Sequence, residues 1–288
     1  MKQWTRLASA KVNLALDILG SRPDGFHEMD MVMQTISLND TVTVTEIGSG
    51  FELIARGIVL PEGKKSLEQR AAEAFFAHIG HPVPPLRVEL EKVTPAYAGL
   101  GGGSADVAAL LRILRDAYAP ELSGEELEQI GLLTGSDMPF CIHGGTARAR
   151  GRGEVLTDLA PLPDCWFVLC KPDFGIPTPT LFARVDGGAL QNRPDIPGMM
   201  TALEEGDLEG VAQRLGNVFE EVLPEEYGEV FTIKEKLLSL GALGAAMSGS
   251  GPTVFGIFRE EAAAQTAVQA LKEVYSQTYL ARPLEQFS

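Results

Sequence analysis

Positive charge is scarce in this chain of 288 residues: 24 lysines and arginines face 39 acids, for a net charge of −15. That balance excludes a nucleic-acid or anionic-membrane surface as the main partner, because both need clustered cations. A polyanionic ligand would need a local pocket of donors instead. Cysteine is scarcer still. Cys141, Cys165 and Cys170 are odd in number and form no CxxC pair, which excludes a disulfide framework and an ordinary zinc site and fits a reducing cytoplasm. No stretch approaches the roughly 18 consecutive apolar residues of a spanning helix, and the opening MKQWTRLASAKVN has no signal-peptide core, so a soluble, unprocessed, cytoplasmic protein is expected. Repeats and low-complexity tracts are also missing. What remains, 45% hydrophobic and 22% charged residues, is the composition of an ordinary globular protein.

From Lys11 to Leu19 the sequence alternates, with Val12, Leu14, Leu16 and Ile18 on one face and Asn13, Ala15 and Asp17 on the other, as in a half-buried strand opening at Lys11. The turn formers Ser21 to Gly25 send the chain back through Met31 to Ile36 and Thr41 to Thr45, giving a mostly antiparallel N-terminal sheet. Ser66 with Gln69 and Ser123 with Glu126 read as capping boxes opening helices, the first running to about Ile79 and the second closed by Gly135. Beyond Pro161 to Pro163 the order becomes strand, helices, strand, strand, helix, strand, the split βαβ order of a ferredoxin-like domain. Two domains are therefore expected, 1–160 and 161–288.

The most informative segment is PAYAGLGGGSADVAALL, Pro95 to Leu111. It follows the strand pattern Leu86 to Glu91 and precedes a helix pattern expected to begin near Ser104. Four glycines in five positions, Gly99, Gly101, Gly102 and Gly103, cost folding entropy and demand a compensating role. Glycine permits close backbone approach, so successive N–H groups can converge on one anion while the helix start adds unpaired donors. A polyphosphate cradle is the expectation, and a flexible linker is the bland alternative. It is neither a Walker A loop, since no Lys-Ser or Lys-Thr follows, nor a dinucleotide GxGxxG.

This loop resembles the PxxxGLGGGSS motif of the superfamily of galactokinase, homoserine kinase, mevalonate kinase and phosphomevalonate kinase, the GHMP kinases. SGSGPTVF, Ser248 to Phe255, resembles that superfamily's C-terminal glycine motif. SAKVNLALDILGSRPDGFHEM, Ser9 to Met29, and GSDMPFCIHGGTARARGRGE, Gly135 to Glu154, are similar to the branch that phosphorylates a cytidine-diphosphate-linked polyol in the non-mevalonate isoprenoid route. Ala105 stands where a second serine is commoner, and Phe26 where tyrosine is frequent.

The resemblance implies a two-domain α+β fold, an N-terminal mixed sheet with helices and a C-terminal ferredoxin-like domain, with the acceptor in the cleft between them. It implies ATP as phosphoryl donor, bound by Pro95, Ala96, Tyr97, Ala98, Gly99, Leu100, Gly101, Gly102, Gly103, Ser104 and Ala105. Lys11 and Asp137 would be catalytic, one beside the acceptor hydroxyl and the other orienting or deprotonating it. Asn13, Phe26, His27, Thr178 and Phe182 would line the acceptor site. Mg²⁺ is expected with ATP, its protein ligands unassigned beyond Ser104 as the best hydroxyl.

Without the resemblance, Lys11 reads as a surface lysine, Asp137 as a turn residue, Ser104 as a helix cap and the aromatics as core. Three rivals stand beside the main reading: a homoserine or mevalonate type kinase, a non-catalytic nucleotide-binding regulator of the same fold, and a basic nucleic-acid patch at Arg148, Arg150 and Arg152. Asp173-Phe174-Gly175 and His78-Ile79-Gly80-His81 imitate protein-kinase and synthetase motifs but lack the partner motifs. Partners are expected to be small molecules, with no nucleic acid and no membrane.

Overall fold

The computed structural model of the chain describes residues 2–57, 65–188 and 190–287. Its spine is a long antiparallel hairpin of β1 (Gln3–Ser21) and β2 (His27–Glu46), in which Lys11 faces Thr35 and Ser21 faces His27 across the turn. The turn residues do their expected work: Arg22 donates its N–H to the Phe26 carbonyl, and Gly25 takes a positive φ of 83°. Then follow β3 (Phe51–Arg56), α1 (Leu67–His78), β4 (Leu86–Glu91), α2 (Gly102–Tyr118), α3 (Gly124–Leu132), α4 (Met138–His143), β5 (Thr146–Gly151) and β6 (Val155–Asp158). The rest of the chain holds β7 (Trp166–Lys171), α5 (Thr178–Asp186), α6 (Ile196–Glu204), α7 (Leu208–Gln213), β8 (Gly216–Asn217), α8 (Val218–Glu221), α9 (Glu229–Ser239), β9 (Gly244–Met247), β10 (Val254–Phe258), α10 (Glu261–Lys272) and β11 (Gln277–Ala281).

Two sheets result. The first runs β3-β4-β2-β1-β8, with β5 added to β2 and β6 to β5, and is antiparallel except where β3 meets β4 and β8 meets β1. The second is wholly antiparallel in the order β11-β7-β10-β9. With helices between β7 and β9 and between β10 and β11, it has the split βαβ arrangement. The change of sheet falls between Asp158 and Trp166.

Strand β1 departs from expectation. It begins at Gln3 rather than Lys11, and from Ala8 to Ile18 it is buried on both faces, the polar Lys11, Asn13 and Asp17 included. The alternation is real, but the polar side is not a solvated face: Lys11 and Asn13 wall a cavity, and Asp17 accepts from Arg193 at 2.7 Å. Helix α2 begins at Gly102, two residues before Ser104, and buries Leu110, Leu111 and Leu114 completely. Each such leucine contributes roughly 1.5–3 kcal/mol. That offsets the roughly 0.5–1 kcal/mol lost at each glycine of the preceding loop. Ser123 and Glu126 form a complete capping box, whereas Ser66 caps α1 and Gln69 turns instead to Glu73. Arg148 is tied to Asp30 by two bonds of 2.8 and 2.7 Å, which removes it from any basic patch. The three cysteines are buried and unpaired. Among the described residues no helix is long and apolar enough to cross a membrane.

At the far end of α4 lies His143. Its Nδ1 meets Glu128 at 3.0 Å and its Nε2 meets Asp158 at 2.5 Å. The Glu128 bond raises the imidazolium above the ordinary histidine range against the opposing effect of burial, with Asp158 adding to the rise. A raised folded value gives stability that is fully present below the unfolded pKa, about 6.5, and is lost as pH climbs through the folded value. His143→Gln should therefore cost about 1 kcal/mol near pH 6 and much less near pH 9. Denaturant melts at the two pH values check this, and equal losses would remove the ion pairs from the stability account.

Candidate active site

Two cavities open on either side of the glycine loop. One, of about 710 Å³, is lined by Pro95 through Ser104 together with Phe51, Leu53, Leu67, Arg70, Lys92 and Asp106. The other, of about 700 Å³, is lined by Lys11, Asn13, Phe26, His27, Asp137, Thr178 and Phe182, all seven of the residues proposed from sequence outside the loop. Gly99 and Gly101 line both cavities. Ala105 lies beneath, buried, with its N–H given to the Gly101 carbonyl at 2.8 Å.

The loop is held by close backbone packing. Gly99 has φ +73°, and a Cβ there would sit 2.0 Å from the Ser248 carbonyl oxygen. Ser248 Oγ donates to the Gly99 carbonyl at 2.9 Å and accepts the Asn13 N–H at 3.3 Å, so the two glycine motifs and β1 meet at one hydroxyl. Asn217, on β8, secures the second motif by donating Nδ2 to the Met247 and Gly249 carbonyls, each at 2.8 Å. Gly101, with φ +68°, is the N-cap of α2; its missing Cβ would lie 3.0 Å from Lys11 Cγ. Only glycine leaves room there for the lysine stem. With Gly101 as cap, Ser104 sits inside the first turn rather than capping the helix. Tyr97 adopts φ 52°, which is strained for a bulky residue, and is 85% exposed at the mouth of the loop.

Lys11 is 4% exposed. Its ammonium donates to Asn13 Oδ1 at 2.7 Å and lies 3.4 Å from Asp137 Oδ2. One of its three N–H donors is thus given to Asn13, and the charge also faces Asp137, which leaves donors for a ligand. Asp137 occupies the N-cap position of α4, yet its side chain makes no cap bond, so the carboxylate is free to face Lys11. The turn role read from sequence alone accounts for the backbone here and not for the side chain.

Aromatic groups and their polar supports fill the other end of the second cavity. The His27 and Phe182 rings stack at 4.4 Å, and Phe182 meets Phe219 edge-on at 5.1 Å. Asp186, at the end of α5, accepts from His27 Nε2 at 2.8 Å and from Ser21 Oγ at 2.9 Å. The His27 bond, then the Ser21 bond, hold its carboxyl below the usual range. Arg152 lies over the Phe26 ring, 4.6 Å from its centre. Thr178 Oγ1 is 2.8 Å from Ser250 Oγ, which ties α5 to the C-terminal glycine turn. Under the first cavity, Lys92 sits between Asp40 and Asp106, with Asp40 Oδ1 also accepting from the Thr94 N–H at 2.7 Å. One ammonium cannot balance two carboxylates. Burial, opposed by Lys92 and helped by Asp40, pushes Asp106 up to about 7.

This architecture, a glycine loop between two cavities with the Lys11–Asp137 ion pair at their junction, has matches among known proteins. Residues 66–145 match the family described as GHMP kinases N terminal domain, and residues 199–277 that described as GHMP kinases C terminal. The chain belongs to the GHMP kinase family. Within it, a 4-diphosphocytidyl-2-C-methyl-D-erythritol kinase of Pelotomaculum thermopropionicum is 45% identical over 92% of this chain and 93% of its own length. A protein of the same name from Clostridium botulinum (strain Kyoto / Type A2) is 38% identical over 96% and 99%. A crystal structure of 4-(cytidine 5'-diphospho)-2C-methyl-D-erythritol kinase superposes with a TM-score of 0.82 at 32% identity, covering 97% of this chain and 99% of the other. A homoserine kinase from Cytophaga hutchinsonii, at 16% identity and a TM-score of 0.75, shares the GHMP fold.

Several residues that line or support the two cavities escaped sequence reading. Arg152 and Ser250 lie within quoted motifs without having been singled out as site residues, Asp186 and Asn217 sit in segments with no local motif of their own, and the floor of Lys92, Asp40 and Asp106 is assembled from three separate elements. Phe51, Leu53, Leu67 and Arg70 lie outside the glycine loop altogether. The described residues include no group of three or more His, Cys, Asp or Glu placed to hold a metal ion. Ser104 and Asp137 instead offer single hard oxygen donors, which suits a magnesium ion carried mainly by phosphate oxygens.

Proposed function

We propose that this chain is an ATP-dependent kinase that phosphorylates the 2-hydroxyl of 4-diphosphocytidyl-2-C-methyl-D-erythritol, a step of the non-mevalonate route to isoprenoid precursors. The observation that carries the reading is the convergence of Lys11, Asp137, His27 and Phe182 on one cavity that shares Gly99 and Gly101 with the glycine-loop cavity. ATP would occupy the latter, its β- and γ-phosphates on the Gly99–Ser104 backbone and its base among Leu53, Leu67 and Arg70. The cytidine would enter the former between Phe26 and Phe182, with its edge on His27 and its polyol toward Lys11, Asn13 and Thr178. We place the division between the two domains near Pro161.

Phosphoryl transfer asks mainly for alignment and for stabilisation of charge on the transferring group. Lys11, with the N–H donors it does not give to Asn13, would stabilise that charge at the junction. Asp137 would accept or orient the acceptor's O–H, its carboxylate kept in place by the Lys11 ammonium. Mg²⁺, with Ser104 as its protein ligand, would neutralise charge on the phosphate oxygens when the nucleotide is bound. A homoserine or mevalonate type acceptor has no base for the His27 and Phe182 end of the cavity. A non-catalytic regulator has no need of the Lys11–Asp137 pair. Coupled-assay measurement of ADP formation with each acceptor tests the reading directly, and turnover with homoserine or mevalonate instead would overturn it.

Gly103 gives the cleanest test of the nucleotide cradle. A Cβ at this position meets only Leu67 Cδ1, at 3.8 Å, so the fold should accept a side chain there. Gly103→Val would nonetheless put methyl groups over the loop donors. We expect ATP affinity to fall by about tenfold or more with Tm nearly unchanged. Calorimetry giving wild-type ATP affinity in the folded variant would move the phosphates elsewhere.

A further inference from the structure

The C-terminal segment returns to the N-terminal sheet after β11. Pro283 bridges to Ile36, Leu284 donates its N–H to the Thr35 carbonyl at 2.9 Å, and Gln286 bridges to Gly144. Phe287 then donates its N–H to the His143 carbonyl at 3.1 Å, beside the end of α4. Its ring packs on Gly144, where a Cβ would lie 2.5 Å from the ring. Arg112 lies over the ring, its guanidinium carbon 4.2 Å from the ring centre.

Arg112 is 4% exposed, an unusual burial for a cation, and the hydrogen bonds found for it run to one target. Nη1 donates to the carbonyls of Cys141 and Ile142, at 2.8 and 3.2 Å. These are last-turn carbonyls of α4, where helix geometry leaves acceptors unpaired and favours a cation. The N–H of the same Cys141 donates to the carbonyl of Asp137 at 3.1 Å. Arg112 itself belongs to α2, the helix that begins at the glycine loop. A single residue, Cys141, therefore connects Arg112 to the backbone of Asp137, and α4, at six residues, is too short to absorb a shift at one end without moving the other.

We infer that Arg112 and Phe287 are positioning residues for catalysis, the C-terminal segment acting as a strap that fixes α4 against α2 so that Asp137 keeps its place beside Lys11. The stacking of Phe287 holds the guanidinium in the one orientation that reaches both carbonyls, and cation–π contact of this kind is strongest when desolvated. The inference rests on the reading of Asp137 as the group that handles the acceptor hydroxyl. Losing the strap should harm the chemical step and not nucleotide binding, because the glycine loop lies at the opposite end of α2.

A double-mutant cycle tests this, with kcat and KM for ATP measured on Phe287→Ala, Asp137→Asn and the double variant, each checked by thermal melt. Phe287→Ala is expected to lower kcat about tenfold while KM for ATP stays within about twofold. In the Asp137→Asn background the same change should cost less than about twofold, and Phe287→Tyr should restore most of the single-variant loss. Wild-type kcat in Phe287→Ala, or the full tenfold loss repeated in the Asp137→Asn background, overturns the strap. Wild-type kcat in Asp137→Asn alone overturns the catalytic reading and the inference with it. If Phe287→Ala does not fold, Phe287→Leu, which keeps apolar volume but no aromatic face, is read through the same cycle and by the same criteria.

Discussion

Asp137→Asn is expected to lower kcat by about a hundredfold or more, with kcat/KM falling in step and the KM values for ATP and acceptor changing little. The substitution is close to isosteric and leaves the N-cap backbone of α4 as it was, since the carboxylate contributes no cap bond. It removes the charge that faces Lys11 at 3.4 Å and the strongest acceptor available to the attacking hydroxyl. Lys11→Met should show a similar fall in kcat, on the scale of roughly a hundredfold found when one preorganised electrostatic donor is lost. It also leaves Asn13 Oδ1 without its 2.7 Å donor in a buried place, so a stability loss of about 1–3 kcal/mol should accompany it. The two effects separate experimentally: kcat per folded molecule reports the chemistry, and a denaturant melt reports the orphaned amide. Near-normal kcat in either variant would take that residue out of the mechanism.

The parts of this fold that were legible in the sequence are those with sustained periodicity or capping chemistry. The split βαβ order was readable because the runs Trp166 to Cys170 and Val254 to Phe258 carry no polar side chain and are separated by helix-period segments. The helix behind the glycine loop was readable from Val107, Ala108, Leu110, Leu111 and Leu114, though its start was placed two residues late because the glycines were assigned to the loop alone. Helix α4 was not readable. Six residues are fewer than two turns, and Met138-Pro139-Phe140 offers no repeat. Strand β8 has two residues and no pattern at all. Double burial of β1 escaped for a different reason, because alternation cannot distinguish a polar face turned to water from one turned into a cavity.

The site divides the same way. The glycine loop is contiguous, so its cost and its purpose are both visible in one stretch of sequence. Asp186 is not: its partner His27 lies 159 residues away, and nothing in ARVDG sets that aspartate apart from any helix-terminal acid. Asn217 is likewise an unremarked polar residue until its side chain is seen to hold the carbonyls of Met247 and Gly249. Such residues hold other groups in place, and only the fold reveals which group they support.

The acceptor base should be chosen by as much as roughly 10⁴-fold in kcat/KM, cytidine diphosphate acceptor over its uridine counterpart. Cytosine presents a 4-amino donor and an N3 acceptor, and uracil reverses both. Asp186, a carboxylate held below the usual range by His27 and Ser21, can only accept, so the proton of the neutral imidazole is drawn to Nε2 and Nδ1 is left as a lone pair. A lone pair suits the cytosine amino group and opposes the uracil carbonyl, whose mismatched edge would be left unpaired beside the stacked Phe182. His27→Ala removes the reader and should shrink the preference to about tenfold or less. Asp186→Asn can donate from its amide to Nε2 and so admit the opposite tautomer; it should shrink the ratio too, chiefly by improving the uridine acceptor. Phe182→Ala takes away stacking, which any base supplies, and should weaken both acceptors by similar factors of about five to ten. Steady-state kcat/KM for both acceptors across the four proteins decides the matter. Comparable values for the two acceptors in the wild type would end the idea that this edge is read, and a ratio unmoved by His27→Ala would assign the reading to another residue.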